Sequence, residues 1–195
     1  MARNIYGLDL GTYEIKVYDK KQDSTWKEKN VIAIVDGKEI LAVGDEAYAM
    51  FERTPGNIEV VFPMKEGVIS RFTDMQYLLQ NLLKKERRFA RGSEYLIAVP
   101  TDVTEVEKRA FFDLVVHSTA KAKEVSIVER GVAQCIGMGV DVRKTKGMLI
   151  ADFGAATTEL SVVGSGGMVL NKMLKIGGMT FDVAVQNMVR RDYDF

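Results

Sequence analysis

The chain has 195 residues, 47% of them apolar and 28% charged, with 27 basic side chains against 27 acidic ones. A chain of this length and apolar content buries a core without covalent staples, which excludes an intrinsically disordered protein and a disulfide scaffold. Zero formal net charge speaks against a nucleic-acid binder, and one cysteine with one histidine, Cys135 and His117, cannot build a four-ligand zinc site without several carboxylates.

From the start, Met-Ala-Arg-Asn runs straight into an apolar strand pattern, with neither a signal-peptide core nor a bilayer-length apolar stretch, so a cytosolic, non-spanning chain is expected. Ile5 to Leu10 and Ile15 to Tyr18 read as strands joined by the tight turn Gly11-Thr12-Tyr13. Val31 to Val35 and Glu39 to Val43 flank Asp36-Gly37, a pair that favours positive φ, so a second hairpin is expected. A short helix from Gly44 to Phe51, a loop through Thr54-Pro55-Gly56 and a strand from Val60 to Phe62 complete this segment.

Thr73 is placed to cap a helix whose Met75, Leu78, Leu79, Leu82 and Leu83 share one face. After the charged run from Lys84 to Arg88, a buried strand from Tyr95 to Val99 ends at Pro100. Thr104 and Glu107 form a capping-box pair for a helix that turns Ala110, Phe111, Leu114 and Val115 inward. A strand from Val125 to Val128 and a helix from Val132 to Met138 follow. Met148 to Ala151, Leu160 to Val163 and Met168 to Met173 form a meander, and Gly177-Gly178 introduces a helix with Phe181, Val185 and Met188 on one side. Alternating strands and helices indicate an α/β fold with a hairpin-rich insertion around residues 31 to 67. Cys135 is read as a small core residue, and His117 as a helix-terminal histidine rather than a base.

One internal echo stands out. Gly7-Leu8-Asp9-Leu10-Gly11-Thr12 aligns with Ile150-Ala151-Asp152-Phe153-Gly154-Ala155: an aspartate where an apolar strand ends, a glycine two residues later, then small or hydroxyl side chains. A single Asp-x-Gly turn is commonly no more than a turn. A pair of them, each between strands, suits a metal-bound polyphosphate, since tight turns present N–H groups to anions while strand-end carboxylates hold magnesium, usually through water.

These residues bring a family into view. The two strings resemble the phosphate loops of the actin and sugar-kinase superfamily of ATPases and, more narrowly, of the MreB-type bacterial actins. Asp9-Leu10-Gly11-Thr12 resembles the first loop and Asp152-Phe153-Gly154-Ala155-Ala156-Thr157-Thr158-Glu159 the second. The narrower match rests on Arg53-Thr54-Pro55-Gly56-Asn57-Ile58, on Pro63-Met64-Lys65-Glu66-Gly67-Val68-Ile69, on Val99-Pro100 with Thr104 to Ala110, and on Ile176-Gly177-Gly178 with Phe181-Asp182. The family's order is kept over nearly the whole chain.

The resemblance implies an actin-like, ribonuclease H-like α/β fold with the first lobe complete or nearly so and the second truncated, the chain being the N-terminal portion of such a protein. Residues 1–30 and 68–142 would form the first large subdomain, 31–67 its small appendage and 143–195 the start of the second lobe. The implied function is that of an ATP- and magnesium-binding cytoskeletal filament subunit in cell-shape determination, at the inner face of the plasma membrane and beside the cell-wall synthesis machinery. Self-assembly, or assembly with a full-length bacterial actin, is implied as well. Asp9 and Asp152 would bear on magnesium. Gly11, Thr12, Tyr13, Gly154, Ala155, Ala156, Thr157, Thr158, Gly177 and Gly178 would line the nucleotide, Thr157 matching the threonine that helps place the catalytic water. Arg87-Arg88-Phe89 lies where the family touches the membrane. A solvated loop with one buried phenylalanine is the other reading of that segment, since basic clusters at helix ends also complement the helix dipole.

Three departures shape the expectation for activity. Arg130 stands at the place of the family's water-positioning glutamate, and a guanidinium cannot accept a hydrogen bond from water. Glu129, one residue earlier, would point about 100° away if both lay on a helix. Arg130 either strengthens anion binding or is a surface residue in a chain without turnover. Ala155-Ala156 replaces Gly-Gly, so weaker nucleotide binding is expected, from strain if either position needs positive φ or from a Cβ against the phosphate. Met179 replaces the acidic residue usual after the paired glycines. Two rival functions remain: a non-polymerising regulator or cap of full-length filaments, and a fragment of a superfamily sugar or acetate kinase, whose acceptor pocket these residues do not announce.

Overall fold

The computed structural model describes residues 4–85 and 92–194, without the side chains of residues 84 and 85. Contacts divide the chain into two compact units, one running to Val99 and including Val103–Val128, the other made of Pro100–Asp102 and the chain from Glu129 onward.

The first unit is built on a five-stranded sheet in the order β10-β9-β1-β2-β3. Its strands are β1 (Ile5–Leu10), β2 (Glu14–Asp19), β3 (Ser24–Lys29), β9 (Glu94–Val99) and β10 (Glu124–Glu129). β1 pairs antiparallel with β2 and parallel with β9, with Leu8 opposite Val17 and Ile97. Strict alternation sends Tyr6, Leu8, Leu10, Ile15, Val17, Tyr95, Ile97 and Val99 into the core. Against them pack α2 (Phe72–Lys85) and α3 (Glu105–Val116). α2 contributes Met75, Leu78, Leu79, Leu82 and Leu83, the face expected from the sequence, and α3 contributes Phe111, Leu114 and Val115. The Thr104–Glu107 capping box is formed: the Glu107 N–H donates to the Thr104 hydroxyl at 3.2 Å, and the Thr104 N–H to the Glu107 carboxylate at 2.7 Å.

Three local readings change. α2 starts at Phe72, with the Met75 N–H donating to the Arg71 carbonyl, so Thr73 lies inside the first turn and is not its cap. β3 is a strand that Ser-Thr-Trp-Lys-Glu-Lys does not advertise. It forms because Asp19 accepts the Lys21 and Gln22 N–H groups and turns the chain back, leaving an edge strand whose charged side chains are typical of sheet borders. Met64–Lys65 (β7) and Val68–Ile69 (β8) make a small hairpin over Glu66-Gly67, both at positive φ.

The insertion is a three-stranded antiparallel sheet, β5-β4-β6, of β4 (Ile32–Val35), β5 (Glu39–Val43) and β6 (Ile58–Val61), with the short α1 (Asp45–Tyr48). Asp36 and Gly37 turn at positive φ as their sequence requires. Val31, Ala33 and Ala47 form its small core.

The second unit holds the meander β11 (Met148–Phe153), β12 (Thr158–Gly164) and β13 (Gly167–Leu174), together with α4 (Arg130–Gly137) and α5 (Gly178–Tyr193). α4 packs on one face of the meander, where Cys135, Val142, Ile150 and Val163 are buried. Contacts group residues 129–142 with the meander. The opposite face carries exposed Leu149, Phe153 and Leu170, and no residue of α5 is buried. Phe181, Val185 and Met188, expected to share one side of α5, are all solvent-exposed.

Candidate functional site

The echo between the two hairpins holds at the level of atoms. In the first, the Gly11 N–H donates to the Glu14 carbonyl at 3.1 Å; in the second, the Gly154 N–H donates to the Thr157 carbonyl at 2.8 Å. A Cβ on Gly11 would lie 2.7 Å from that Glu14 oxygen, and one on Gly154 would lie 2.9 Å from that Thr157 oxygen. Neither glycine has positive φ. Both are therefore required by the closeness of the returning backbone and not by backbone handedness. Each turn is preceded by the same carboxylate, with Asp9 opposite Lys16 on β2 and Asp152 opposite Glu159 on β12.

Around the first turn, Asn30 is fully buried, donating from Nδ2 to the Gly11 carbonyl at 2.8 Å and from its own N–H to the Tyr13 carbonyl at 2.9 Å. The Gly67 N–H donates to the Thr12 hydroxyl at 3.3 Å. The Lys16 ammonium lies 3.2 Å from the Asp9 carboxylate. Asn30 and Gly67 thus hold the turn from two segments remote in sequence.

The second turn is held by the start of α5. The N–H groups of Gly178 and Met179 donate to the carbonyls of Gly154 and Ala155 at 3.0 and 2.8 Å. The approach is so close that a Cβ on Gly177 would sit 2.6 Å from the Gly154 oxygen. The Gly177 N–H donates to the Thr180 hydroxyl, and the Thr158 hydroxyl to the Ile176 carbonyl. Of the two glycines expected to line the nucleotide, Gly178 uses its amide to fasten this turn, and Gly177 uses its own on Thr180 at the start of α5.

Ala155 and Ala156 are not among the positive-φ residues, so the expected backbone strain does not arise, and only their added Cβ atoms distinguish this turn from a Gly-Gly version. Arg130 is the first residue of α4, with Glu129 in extended conformation as its cap, so the 100° argument for Glu129 lapses. Nor is Arg130 a surface residue. Its side chain is 12% exposed and its Nη1 lies 3.8 Å from Glu159, which is itself 3% exposed.

Glu159 is the residue whose importance the sequence reading missed. Its Oε1 accepts from the Thr101 N–H at 3.2 Å and from Asn171 Nδ2 at 2.7 Å, while Asn171 also donates to Ser161. The available signal was a charged residue at a core-facing strand position, for which a buried partner must exist. The Arg87-Arg88-Phe89 segment lies outside the described residues.

The chain matches the family described as MreB/Mbl protein over residues 3–195. It belongs to the MreB/Mbl family. Among its relatives, the cell shape-determining protein MreB of Escherichia coli K12 is 38% identical over 201 residues, covering 99% of this chain and 57% of the relative. The cell shape-determining protein Mbl of Bacillus subtilis is 33% identical over 195 residues, covering 98% of this chain and 58% of the relative. This MreB/Mbl chain therefore spans less than two thirds of the length of the relatives it matches. Its fold superimposes on the crystal structure of MreB5 of Spiroplasma citri bound to ADP with a TM-score of 0.90 at 29% identity, over 99% of this chain and 58% of that one. A MamK double helical filament chain matches with a TM-score of 0.79 at 20% identity, a likeness of fold alone. The α/β fold is thus the actin-like one. Among the described residues, no helix is long and apolar enough to cross a membrane.

Proposed function

We propose that this chain serves as an actin-like cytoskeletal filament subunit in cell-shape determination, with its two Asp-x-Gly turns taking the polyphosphate of ATP. The observation that carries the reading is the atomic correspondence of the turns, glycine N–H to the carbonyl three residues on, each behind a strand-end aspartate. Support comes from the Spiroplasma citri relative, described with ADP in one structure and with AMPPNP in another. Asp9 and Asp152 offer the hard oxygen donors that magnesium takes. Among the described residues, no three His, Cys, Asp or Glu side chains are grouped to hold a metal ion. When bound, magnesium would neutralise phosphate charge. Gly11, Thr12, Tyr13, Gly154, Ala155, Ala156, Thr157 and Thr158 would approach the phosphates.

In this reading, binding is weak and turnover slow. The Cβ atoms of Ala155 and Ala156 stand at a turn that a phosphate must approach closely, and Arg130, tied to Glu159, offers no acceptor for an attacking water. Residues 31–67 are the appendage of the first lobe, and the second lobe begins near Glu129. Peripheral membrane contact through Arg87-Arg88-Phe89, and work beside the cell-wall synthesis machinery, belong to the same reading.

Calorimetric titration with Mg-ATP followed by sedimentation tests it. Dissociation constants well above the micromolar range, ATP-dependent pelleting and phosphate release near background are expected. Micromolar binding with steady turnover overturns the impaired-site reading. Pelleting only with a full-length bacterial actin would make the chain a regulator or cap.

A further inference from the structure

Besides the backbone it would offer to phosphate, the first turn carries an aromatic side chain engaged elsewhere. The Tyr13 ring projects onto residues of the insertion: it meets the Tyr48 ring edge-on at a centroid distance of 5.4 Å and stacks on Phe62 at 6.4 Å. Tyr48 in turn stacks on Phe51, and Phe51 meets Phe62 edge-on, which closes a ring of four aromatics. The neighbouring Tyr13 hydroxyl, ahead of burial, holds the Tyr48 phenol above its ordinary value. The Lys29 ammonium lies 4.2 Å from the Tyr13 ring centroid and 3.5 Å from the Glu14 carboxylate.

The cluster joins two pieces of the first unit that each have hydrogen bonds of their own. On one side, Tyr13 is part of the turn itself, its carbonyl held by the Asn30 N–H. On the other, Tyr48 is the last residue of α1, whose start is fixed by the Asp45 N–H donating to Glu28 at 2.6 Å. Nothing in the local hydrogen bonding of either piece requires these aromatics. Their contacts are additional to a turn and a helix that are already closed, and aromatic and cation–π contacts of this kind transmit position because they have narrow preferred geometries.

We propose that Tyr13 latches the first Asp-x-Gly turn to the 31–62 sheet, so that an anion seated on the turn steadies α1. The proposal rests on the reading of that turn as a phosphate site. Ordering the turn backbone fixes the stem of the Tyr13 ring, and the ring passes that restraint to Tyr48 and Phe62. The coupling is a difference in local opening between occupied and empty states.

Hydrogen exchange on the full chain reads both ends of the latch in wild type, Tyr48→Ala and Tyr48→Phe, with and without Mg-ATP at concentrations shown by calorimetry to saturate each. In wild type, saturation slows exchange of the Tyr48, Ala49 and Phe51 amides about tenfold. Tyr48→Ala abolishes that slowing, and Tyr48→Phe, which keeps the ring, retains most of it. Equal slowing in wild type and Tyr48→Ala overturns the latch. Without nucleotide, Tyr48→Ala speeds exchange of the Gly11 and Asn30 amides at least about threefold and leaves β11 to β13 unchanged; no change at Gly11 and Asn30 overturns it. Should wild type bind no nucleotide, the phosphate reading fails, and the nucleotide-free comparison alone decides the latch. Should Tyr48→Ala not fold, Phe62→Leu removes the stacked face from the other side, with the same expected signs.

Discussion

Single residues decide how the two turns work, and the glycines are the clearest case. Gly11 and Gly154 each face a backbone carbonyl oxygen that a Cβ would approach within 2.9 Å, whereas a Cβ on Gly137 meets nothing within 4 Å. Alanine at 11 or 154 must push the returning strand aside and is expected to cost about 1–3 kcal/mol. Gly137→Ala, in the last turn of α4, is expected to stabilise by up to about 1 kcal/mol through helix propensity. Urea titrations of the three variants check the order. Both turn glycines were legible in the sequence as a motif, but their reason was not, because the close contact comes from a residue three positions on and not from φ.

Two buried polar groups show opposite economies. Arg130 and Glu159 are both largely buried, so Arg130→Ala leaves a carboxylate without its cation and is expected to cost about 3 kcal/mol, while the double change Arg130→Met with Glu159→Gln recovers most of that. Tyr95 is different. Burial first, then the neighbouring Tyr6, pushes its phenol well above 10, and its hydroxyl has no hydrogen-bond partner among the described residues. The folded chain thus holds that proton more tightly than the unfolded one. The stabilisation is fully present below pH about 10 and falls as pH rises from there toward the folded value. Tyr95→Phe is expected to flatten the alkaline limb of stability against pH without loss at neutral pH, as alkaline unfolding series would record.

At the scale of elements, legibility followed burial. α2, α3 and the inward faces of β1, β2 and β9 were readable because their apolar residues repeat at 3.6 or 2.0 residues and all reach one core. β3 was not, because an edge strand held by backbone pairing to one neighbour has no reason to be apolar. The hairpin of β7 and β8 was hidden for another reason: two-residue strands are too short to show a period. The same logic separates the α2 helix from its boundary. Its Leu82 is 2% exposed within the large core, and Leu82→Ala is expected to cost about 2–5 kcal/mol by calorimetry, whereas Thr73→Ala, lying past the helix start, is expected to cost far less than the ~1 kcal/mol of a lost cap.

For the molecule as a whole, the division into two units has a thermodynamic consequence. Among the described residues, the first unit buries eighteen in one cluster, and the cluster in the second contains four. On the second unit's meander, one face packs against α4 while Leu149, Phe153 and Leu170 stand 65–72% exposed on the other. Stability in a fold of this kind is not uniform, and the unit with the smaller core is the one expected to open first. The chain supplies its own reporters, since its one tryptophan, Trp26, packs against the large core and its one cysteine, Cys135, is fully buried in the small one. In a urea series, thiol labelling of Cys135 is expected to rise at a lower denaturant concentration than the shift in Trp26 fluorescence. Coincident midpoints would mean that the two units unfold as one. If Mg-ATP engages Asp152 and its turn, the labelling midpoint is expected to move upward with nucleotide, because a ligand bound only to the folded state stabilises it by mass action. A ligand held by the first turn alone would move the tryptophan transition and leave the thiol transition where it was, so the two reporters distinguish which of the two echoing turns does the binding.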